Sequence, residues 1–542
     1  MRRHALSDRA FAELGAGRPA PATVAELRRS QRSRVLLMLR LSSGYAHLSA
    51  LESEDPAGFR RFVADPLTGA WAAAQLRSAT GSGAGTSSLR PGGFSAEGLG
   101  PGGLGAGDFG PGGFGAEGLG PRGLGAGGFG PGGFGAGATG TRRLIAEHDG
   151  LAIDVRLEDT DERRRLLGLT PTGPLTDEEA THWQRCFAES WRILAGRHRD
   201  AALILREVLT CVVPVRPDPV AAGISATSAD AFGAVAMSAP ADAVSLAVGL
   251  LHEAHHSLLN ATGQLFDLLD RPRDLGYSPW RDDPRPASGI LHGTYAYLAV
   301  TRFWLREVRA GAGRVAGFEY CRWREAVATT SARLLDSGTL TRAGVRFVTA
   351  LHTEVTAWPA EAAQLDAASR QEAARLARLA NADHYVRWRL QNMTPDRAGV
   401  EALAAAWRAG AAPPPPVAST LVPAGRRALP HSPRLRRIHD LLRADPAGAT
   451  DADPQHAGGS ERGLAPDRQA RETRATAAEA ALLRGDHGTF ERAYPEDLDP
   501  TGLAIVAGVS DRAEVLVALW QAVRADGADP VALARWLAGG AA

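Results

Sequence analysis

Two histidines and a glutamate form the pattern HExxH near the middle of the 542-residue chain, at His252, Glu253 and His256. The flanking residues, 248–260, are mostly apolar and compatible with a helix. Because residues four apart lie on one face of a helix, His252 and His256 can present two imidazoles to a single metal ion. Glu253 lies beside that face, where it could move protons or hold a metal-bound water. The pattern predicts a metal site; the alternative is a pair of hydrogen-bonded core histidines beside a solvated glutamate.

HExxH by itself is typical of zinc proteases, in which zinc activates a water and the glutamate acts as general base. Such sites need a third protein ligand, and this sequence lacks both common patterns for one. Leu259 and Thr262 occupy the glycine and histidine positions of the longer HExxHxxGxxH motif, and no glutamate follows Glu253 before Glu307. A zinc metallopeptidase is therefore the alternative interpretation, supported by HExxH alone.

The sequence after HExxH offers another ligand set. His292 lies in a predicted helix and is preceded by Arg281 and Arg285. Two histidines with a third ligand and open positions suit Fe(II) as well as zinc. A guanidinium binds a carboxylate through two parallel hydrogen bonds, so either arginine could hold a dicarboxylate co-substrate. The alternatives are a buried histidine near a helix start and ion pairs of the arginines with Asp282 or Asp283.

Four motifs, in the same order, resemble the HExxH-type peptide-modification family. They are residues 225–235, the LHExxH helix, residues 277–286 and residues 291–296. Members of this family are 2-oxoglutarate-dependent peptide β-hydroxylases that act on ribosomally synthesised, post-translationally modified peptides. The resemblance covers about 142–410, and the helical N-terminal region more loosely.

The resemblance implies that His252 and His256 bind Fe(II), with 2-oxoglutarate and O2 as co-substrates and a precursor peptide as substrate. His292 is the expected third metal ligand because of its position. Arg281 or Arg285 is expected to hold 2-oxoglutarate. Glu253 then orients a ligand or water and is not a proteolytic base. Other enzymes that mature the same peptide are expected partners.

The composition excludes several classes of function. Lys and Arg number 61 against 60 Asp and Glu, and the basic residues are dispersed, so nothing favours nucleic acid or an anionic membrane. The three cysteines, Cys186, Cys211 and Cys321, are far apart, which excludes a disulfide framework, a cysteine-rich zinc knuckle and a typical iron–sulfur cluster. No uncharged apolar run approaches the roughly 18 residues that span a bilayer, and no signal peptide is predicted. We expect a cytoplasmic protein.

The predicted fold is mainly α with a small β element at the metal site. Composition also divides the chain into five segments. Residues 1–78 are predicted as helices of the catalytic unit. Residues 79–141 consist of Gly-rich pentads such as PGGFG, whose backbone entropy predicts a disordered insertion of open role. Residues 142–410 form the predicted metal-dependent domain, and 411–473 a linker rich in Pro, Gly and Asp. Residues 474–542 form a small helical tail that resembles tetratricopeptide pairs.

Local patterns predict the elements around the HExxH helix. Residues 144–157 alternate like a strand or a hairpin. Thr176, followed by acidic residues, predicts a helix start as an N-cap. Residues 225–238 predict a pair of strands covering the site, and 238–242 lead into the HExxH helix.

Overall fold

The computed structural model describes residues 6–42, 45–80, 95–98, 142–218, 223–270, 275–359, 362, 364–422, 432–444, 466–494 and 500–539. The chain divides into two compact units. The first comprises Met1–Gly276, Arg285–Ala310 and Val327–Pro359; the second comprises Tyr277–Pro284, Gly311–Ala326 and Ala360–Ala542.

The protein is mainly α-helical, which confirms the predicted fold class. The first unit contains α1 (Asp8–Gly15), α2 (Pro21–Leu41), α3 (Tyr45–Glu54), α4 (Pro56–Ala64), α5 (Pro66–Thr80), α6 (Asp177–Arg197), α7 (Arg199–Val208), α8 (Ala243–Gly263) and α9 (Ala287–Arg309). Residues of α10 (Gly313–Asp336) belong to both units, and α11 (Arg342–Thr356) belongs to the first. The second contains α12 (Ala367–Asn392), α13 (Arg397–Arg408), α14 (Pro433–Arg443), α15 (Pro466–Arg484), α16 (His487–Ala493), α17 (Pro500–Val506), α18 (Ala513–Val523) and α19 (Pro530–Leu537). None of the helices in the described ranges combines the length and apolar character that crossing a bilayer requires.

The first unit also holds a six-stranded mixed sheet. Its strands are β1 (Ser95–Gly98), β2 (Arg142–His148), β3 (Leu151–Leu157), β4 (Cys211–Pro214), β5 (Ile224–Thr227) and β6 (Ala234–Met237), in the spatial order β1-β5-β6-β4-β3-β2. The β3–β4 and β4–β6 pairs are parallel, and the other pairs are antiparallel. Two short antiparallel pairs complete the strands: β7 (Leu275–Gly276) with β8 (Arg285–Pro286), and β9 (Met393–Pro395) with β10 (Ser419–Leu421).

The predicted hairpin forms between β2 and β3. Asp149 and Gly150 connect the strands with φ values of 49° and 69°. Asp-Gly is the dipeptide that tolerates two successive left-handed residues in a two-residue hairpin turn. Leu144, Ile153 and Val155 are buried on the inward face of the pair, so the alternating pattern sets which face meets the core.

Helix α6 begins where the sequence predicts and supports the sheet. The Thr176 hydroxyl accepts a hydrogen bond from the Glu179 backbone N–H, and the Glu179 carboxylate accepts one from the Thr176 N–H, which together form a capping box. Trp183, Phe187 and Trp191, spaced by four, are all buried. Through this face α6 packs against β2 and α8, the helix that carries HExxH.

The two units do not follow the expected boundary near residue 410. Helices α12 and α13 share an apolar core with α17, α18 and α19, to which Val386, Leu403, Leu516, Leu519 and Trp536 contribute. Residues 360–410 therefore belong to the compact unit of the C-terminal helices.

The predicted linker and insertion lie only partly in the described ranges. Helix α14 lies inside the predicted linker, where it buries Ile438 and Leu442. Leu435, Ile438, Leu441 and Leu442 are spaced three to four apart after a Ser432 N-cap, so the segment carried a usable helix signal that the composition-based linker prediction passed over. Most of the predicted insertion lies outside the described residues; Ser95–Gly98 within it forms β1, antiparallel to β5.

Candidate metal centre

Helix α8 carries HExxH through the interior of the first unit. The Asp242 side chain caps the helix by accepting a hydrogen bond of 2.7 Å from the Ser245 N–H. The helix is apolar on nearly all sides, as expected for a helix surrounded by protein. His252, Glu253 and His256 are each 0% exposed. The backbone thus positions three polar side chains in a dry environment, where each needs a partner or a ligand.

The two motif histidines converge as the helical spacing predicts. The Nε2 atoms of His252 and His256 lie 3.0 Å apart, with the ring planes at 84°. Metal–imidazole bonds are about 2.1 Å, so two nitrogens on one ion lie roughly 3 Å apart. Potential ligand atoms of His252, Glu253 and His256 all lie within 4.8 Å of one another. A set of two imidazoles and one carboxylate suits Fe(II) or zinc.

The carboxylate of Glu253 is held by strand β5. The Ser225 hydroxyl donates to its Oε1 at 2.6 Å, and the Thr227 hydroxyl donates to its Oε2. Ser225 and Thr227 are alternate residues of one strand and therefore share a face. Two hydroxyl donors offset part of the desolvation of a fully buried carboxylate. Glu253 is thus a fixed hydrogen-bond acceptor and not the solvated charge of the alternative interpretation.

His292 lies beside His256, on the opposite edge of its ring from His252. The two Nδ1 atoms are 3.4 Å apart, and the ring centroids are 5.5 Å apart. Within the described residues, the group of mutually close ligand atoms contains His252, Glu253 and His256 and does not include His292. The structure therefore places the predicted third ligand against the Nδ1 edge of His256, outside the group of atoms that converge on one ion.

The adjacent His255 has a different environment. Its Nδ1 lies 2.9 Å from the Leu251 carbonyl oxygen, and its Nε2 lies 3.2 Å from that of Gly17. Burial lowers the pKa of His255 to about 4, so the ring is neutral at pH 7. His255 thus connects α8 to the chain segment after α1.

The two candidate arginines occupy different units. Arg285 lies against the first turn of α9: a Cβ built on Gly289 would be 2.9 Å from its Nε. Gly289 and His292 are three apart on that helix and share a face. Arg281 belongs to the second unit, where it is 3% exposed and its Nε donates to Asp283 Oδ1 at 2.9 Å. This is the ion pair that the sequence offered as an alternative role for Arg281.

Sequence reasoning missed three side chains of the site. Ser225 and Thr227 lie in a recognised motif, and their spacing of two in a predicted strand was a usable signal. Tyr297 packs its ring edge-on against His252, with centroids 5.2 Å apart. Nothing in the sequence indicated this contact, because the local sequence does not tell which turn of α9 faces α8.

Thr227→Val tests the support of Glu253. Valine keeps the shape of threonine but leaves one carboxylate oxygen without its donor inside the protein. We expect the free energy of unfolding, measured by urea denaturation, to fall by about 1.5–3 kcal/mol. Thr227→Ser keeps the hydroxyl and is the control, expected to retain most of the stability. Unchanged stability of Thr227→Val would contradict the role of the hydroxyl in supporting Glu253.

No protein-family model matches this chain, and no curated protein matches it either.

Proposed function

We propose that the protein is an Fe(II)- and 2-oxoglutarate-dependent dioxygenase that hydroxylates a side-chain β-carbon in a ribosomally synthesised peptide. The proposal joins the resemblance of four sequence motifs to the HExxH-type peptide-modification family with the geometry around α8. It includes a cytoplasmic location and other maturation enzymes of the same peptide as partners.

The observation that carries the proposal is the donor set on α8. Two buried imidazoles have their Nε2 atoms 3.0 Å apart, with a carboxylate in the same group. Two histidines with a further ligand and open positions suit the iron of non-heme oxygenases, and the buried carboxylate lies beside them as a fixed hydrogen-bond acceptor. Fe(II) held by His252 and His256, with 2-oxoglutarate and O2, would supply the chemistry that replaces a C–H hydrogen by hydroxyl and releases succinate and CO2.

The residues of this chain have separate tasks in the proposal. His252 and His256 hold the metal, and His292 lies against the Nδ1 edge of His256, where it would orient that ring. Glu253, fixed by the hydroxyls of Ser225 and Thr227, orients the cluster. Arg285, whose side chain lies against Gly289, one helical turn before His292, is the better placed arginine for the far carboxylate of 2-oxoglutarate.

The alternative, a zinc metallopeptidase, requires Glu253 to take a proton from water. A general base must offer a lone pair to the water that it activates. The Glu253 carboxylate is 0% exposed, and each of its oxygens accepts a hydroxyl hydrogen bond. Each oxygen keeps a second lone pair, but the carboxylate has no exposed surface and two hydroxyls hold it in place, which favours a positioning role over a base.

The discriminating experiment uses a precursor peptide encoded beside the gene. The purified protein is incubated with this peptide, Fe(II), O2 and 2-oxoglutarate, and separately with the peptide and zinc. We expect a peptide mass gain of about 16 Da, the addition of one oxygen typical of non-heme iron oxygenases, with one succinate per event and only in the iron reaction. His252→Ala is the inactive control. Peptide fragments in the zinc reaction without co-substrate would overturn the proposal in favour of the peptidase.

A further inference from the structure

A small polar pocket lies in the first unit, at a distance along the chain from the HExxH motif. Four residues of α2 line it, together with residues between α4 and α5, residues just before β4, and residues of the connection between β5 and β6. The polar ones among them are Arg28, Gln31, Arg32, Asp65, Thr210 and Asp230. The cavity measures about 30 Å³. A single water needs at least roughly 10–15 Å³ on this measure, so the pocket has room for about two water-sized groups.

The buried side-chain atoms of this pocket that lack a hydrogen-bond partner in the described ranges are N–H donors. Gln31 is 6% exposed, and its Nε2 makes no hydrogen bond to any described part of the chain. The Nε of Arg28 is likewise buried without an acceptor in the described ranges, although its Nη2 donates to Glu207 at 2.9 Å. Buried donors without acceptors cost about 1–3 kcal/mol each. An acceptor ligand would remove this cost.

The two carboxylates that line the pocket are each neutralised by two arginines. Asp65 accepts from Arg156 at 2.7 Å and from Arg163 at 2.9 Å. Asp230 accepts from Arg34 at 2.6 Å and from Arg77 at 2.9 Å. These acids are therefore already paired, and they leave the Arg28 Nε and the Arg32 guanidinium available to a ligand.

Arg32 adds a second guanidinium at the solvent side of the pocket. Residues 28, 31 and 32 lie on one face of α2 because they are three and four positions apart. Burial and the charge of Arg28 lower the pKa of the Arg32 guanidinium. Its positive charge is thus disfavoured by its surroundings, and an anion between the two guanidiniums would reverse that effect.

We propose that this pocket binds a small oxyanion, a phosphate or carboxylate group, through Arg28 Nε, the Gln31 carboxamide and the Arg32 guanidinium. Guanidinium groups pair with two oxygens of such anions at once, and a neutral amide adds a third directed donor. The pocket is open on one side, so the group is either a free ion or the end of a larger molecule. This inference does not depend on the metal chemistry proposed for α8.

The test is isothermal titration calorimetry of the full chain with inorganic phosphate and, separately, with acetate. The ionic strength is kept constant. We expect saturable binding of at least one anion at one site. Arg32→Gln, which removes an exposed charged side chain, should weaken it about tenfold or more, as expected for a charge-assisted hydrogen bond. Gln31→Glu, nearly the same size, should abolish it, because its carboxylate would take the place of the ligand.

Arg40→Gln is the matched control. Arg40 is exposed on the same helix, eight residues and about 12 Å further along, and its removal changes the net charge equally. It should leave the affinity unchanged. Preference for phosphate or for acetate identifies the group that the pocket accepts. Absence of saturable binding of both anions, or equal weakening by Arg32→Gln and Arg40→Gln, would overturn the proposal.

Discussion

His252→Ala and His256→Ala are each expected to abolish tight binding of a divalent metal ion. The two Nε2 atoms are 3.0 Å apart inside the protein, and no described carboxylate other than Glu253 belongs to their ligand group. Loss of residues that only orient a ligand already lowers metal affinity by about 10–100-fold. Loss of a ligand should exceed that range. Calorimetric titration with Fe(II) under anaerobic conditions, or with Zn(II), measures the affinity.

Removal of a histidine elsewhere provides the control. His148→Ala deletes a partly exposed imidazole on β2 and should leave metal binding unchanged. Thermal melting of each variant checks that the buried substitutions have not unfolded the first unit. Parent-like metal binding by a folded His252→Ala or His256→Ala variant would contradict the metal centre itself.

His292→Ala then reports whether His292, the neighbour of His256 Nδ1, is a ligand. Loss of a ligand should again lower the metal affinity by more than about 100-fold.

Arg285→Lys is expected to raise the concentration of 2-oxoglutarate needed for half-maximal turnover by about tenfold or more. Lysine keeps the charge but loses the planar pair of donors that matches a carboxylate. This prediction depends on the proposed function and is measured as succinate release against co-substrate concentration. Arg309→Lys, the same substitution in the exposed last turn of α9, is the control.

Gly289→Ala tests the same arginine without changing it. The added Cβ would lie 2.9 Å from Arg285 Nε, so the guanidinium must move. Alanine is the better helix former by up to about 1 kcal/mol, so the free energy of unfolding should not fall. A higher co-substrate requirement with undiminished stability is the expected combination. If neither Arg285→Lys nor Gly289→Ala changes the 2-oxoglutarate concentration for half-maximal turnover, Arg285 does not bind the co-substrate. Arg281 is then the remaining candidate.

The sequence alone predicted features that depend on neighbouring residues. The Thr176 cap and the four-residue spacing of His252 and His256 are local, because capping and helix periodicity act within a few residues. The mainly α fold class and the strand pair before α8 follow from the same short-range patterns. These predictions are confirmed in the described ranges.

Only the tertiary structure decided how these elements meet. Ser225 and Glu253 are 28 positions apart, and His256 and His292 are 36 apart, so no helical or strand period links them. Helix α14 had a local signal of its own, but only the tertiary structure shows that Ile438 and Leu442 are buried. The pocket on α2 has the same origin: Arg28, Gln31 and Arg32 share a face by their spacing, but their unmatched donors arise from packing against distant segments. Side-chain periodicity is a property of one element, whereas a site depends on the long-range contacts between several.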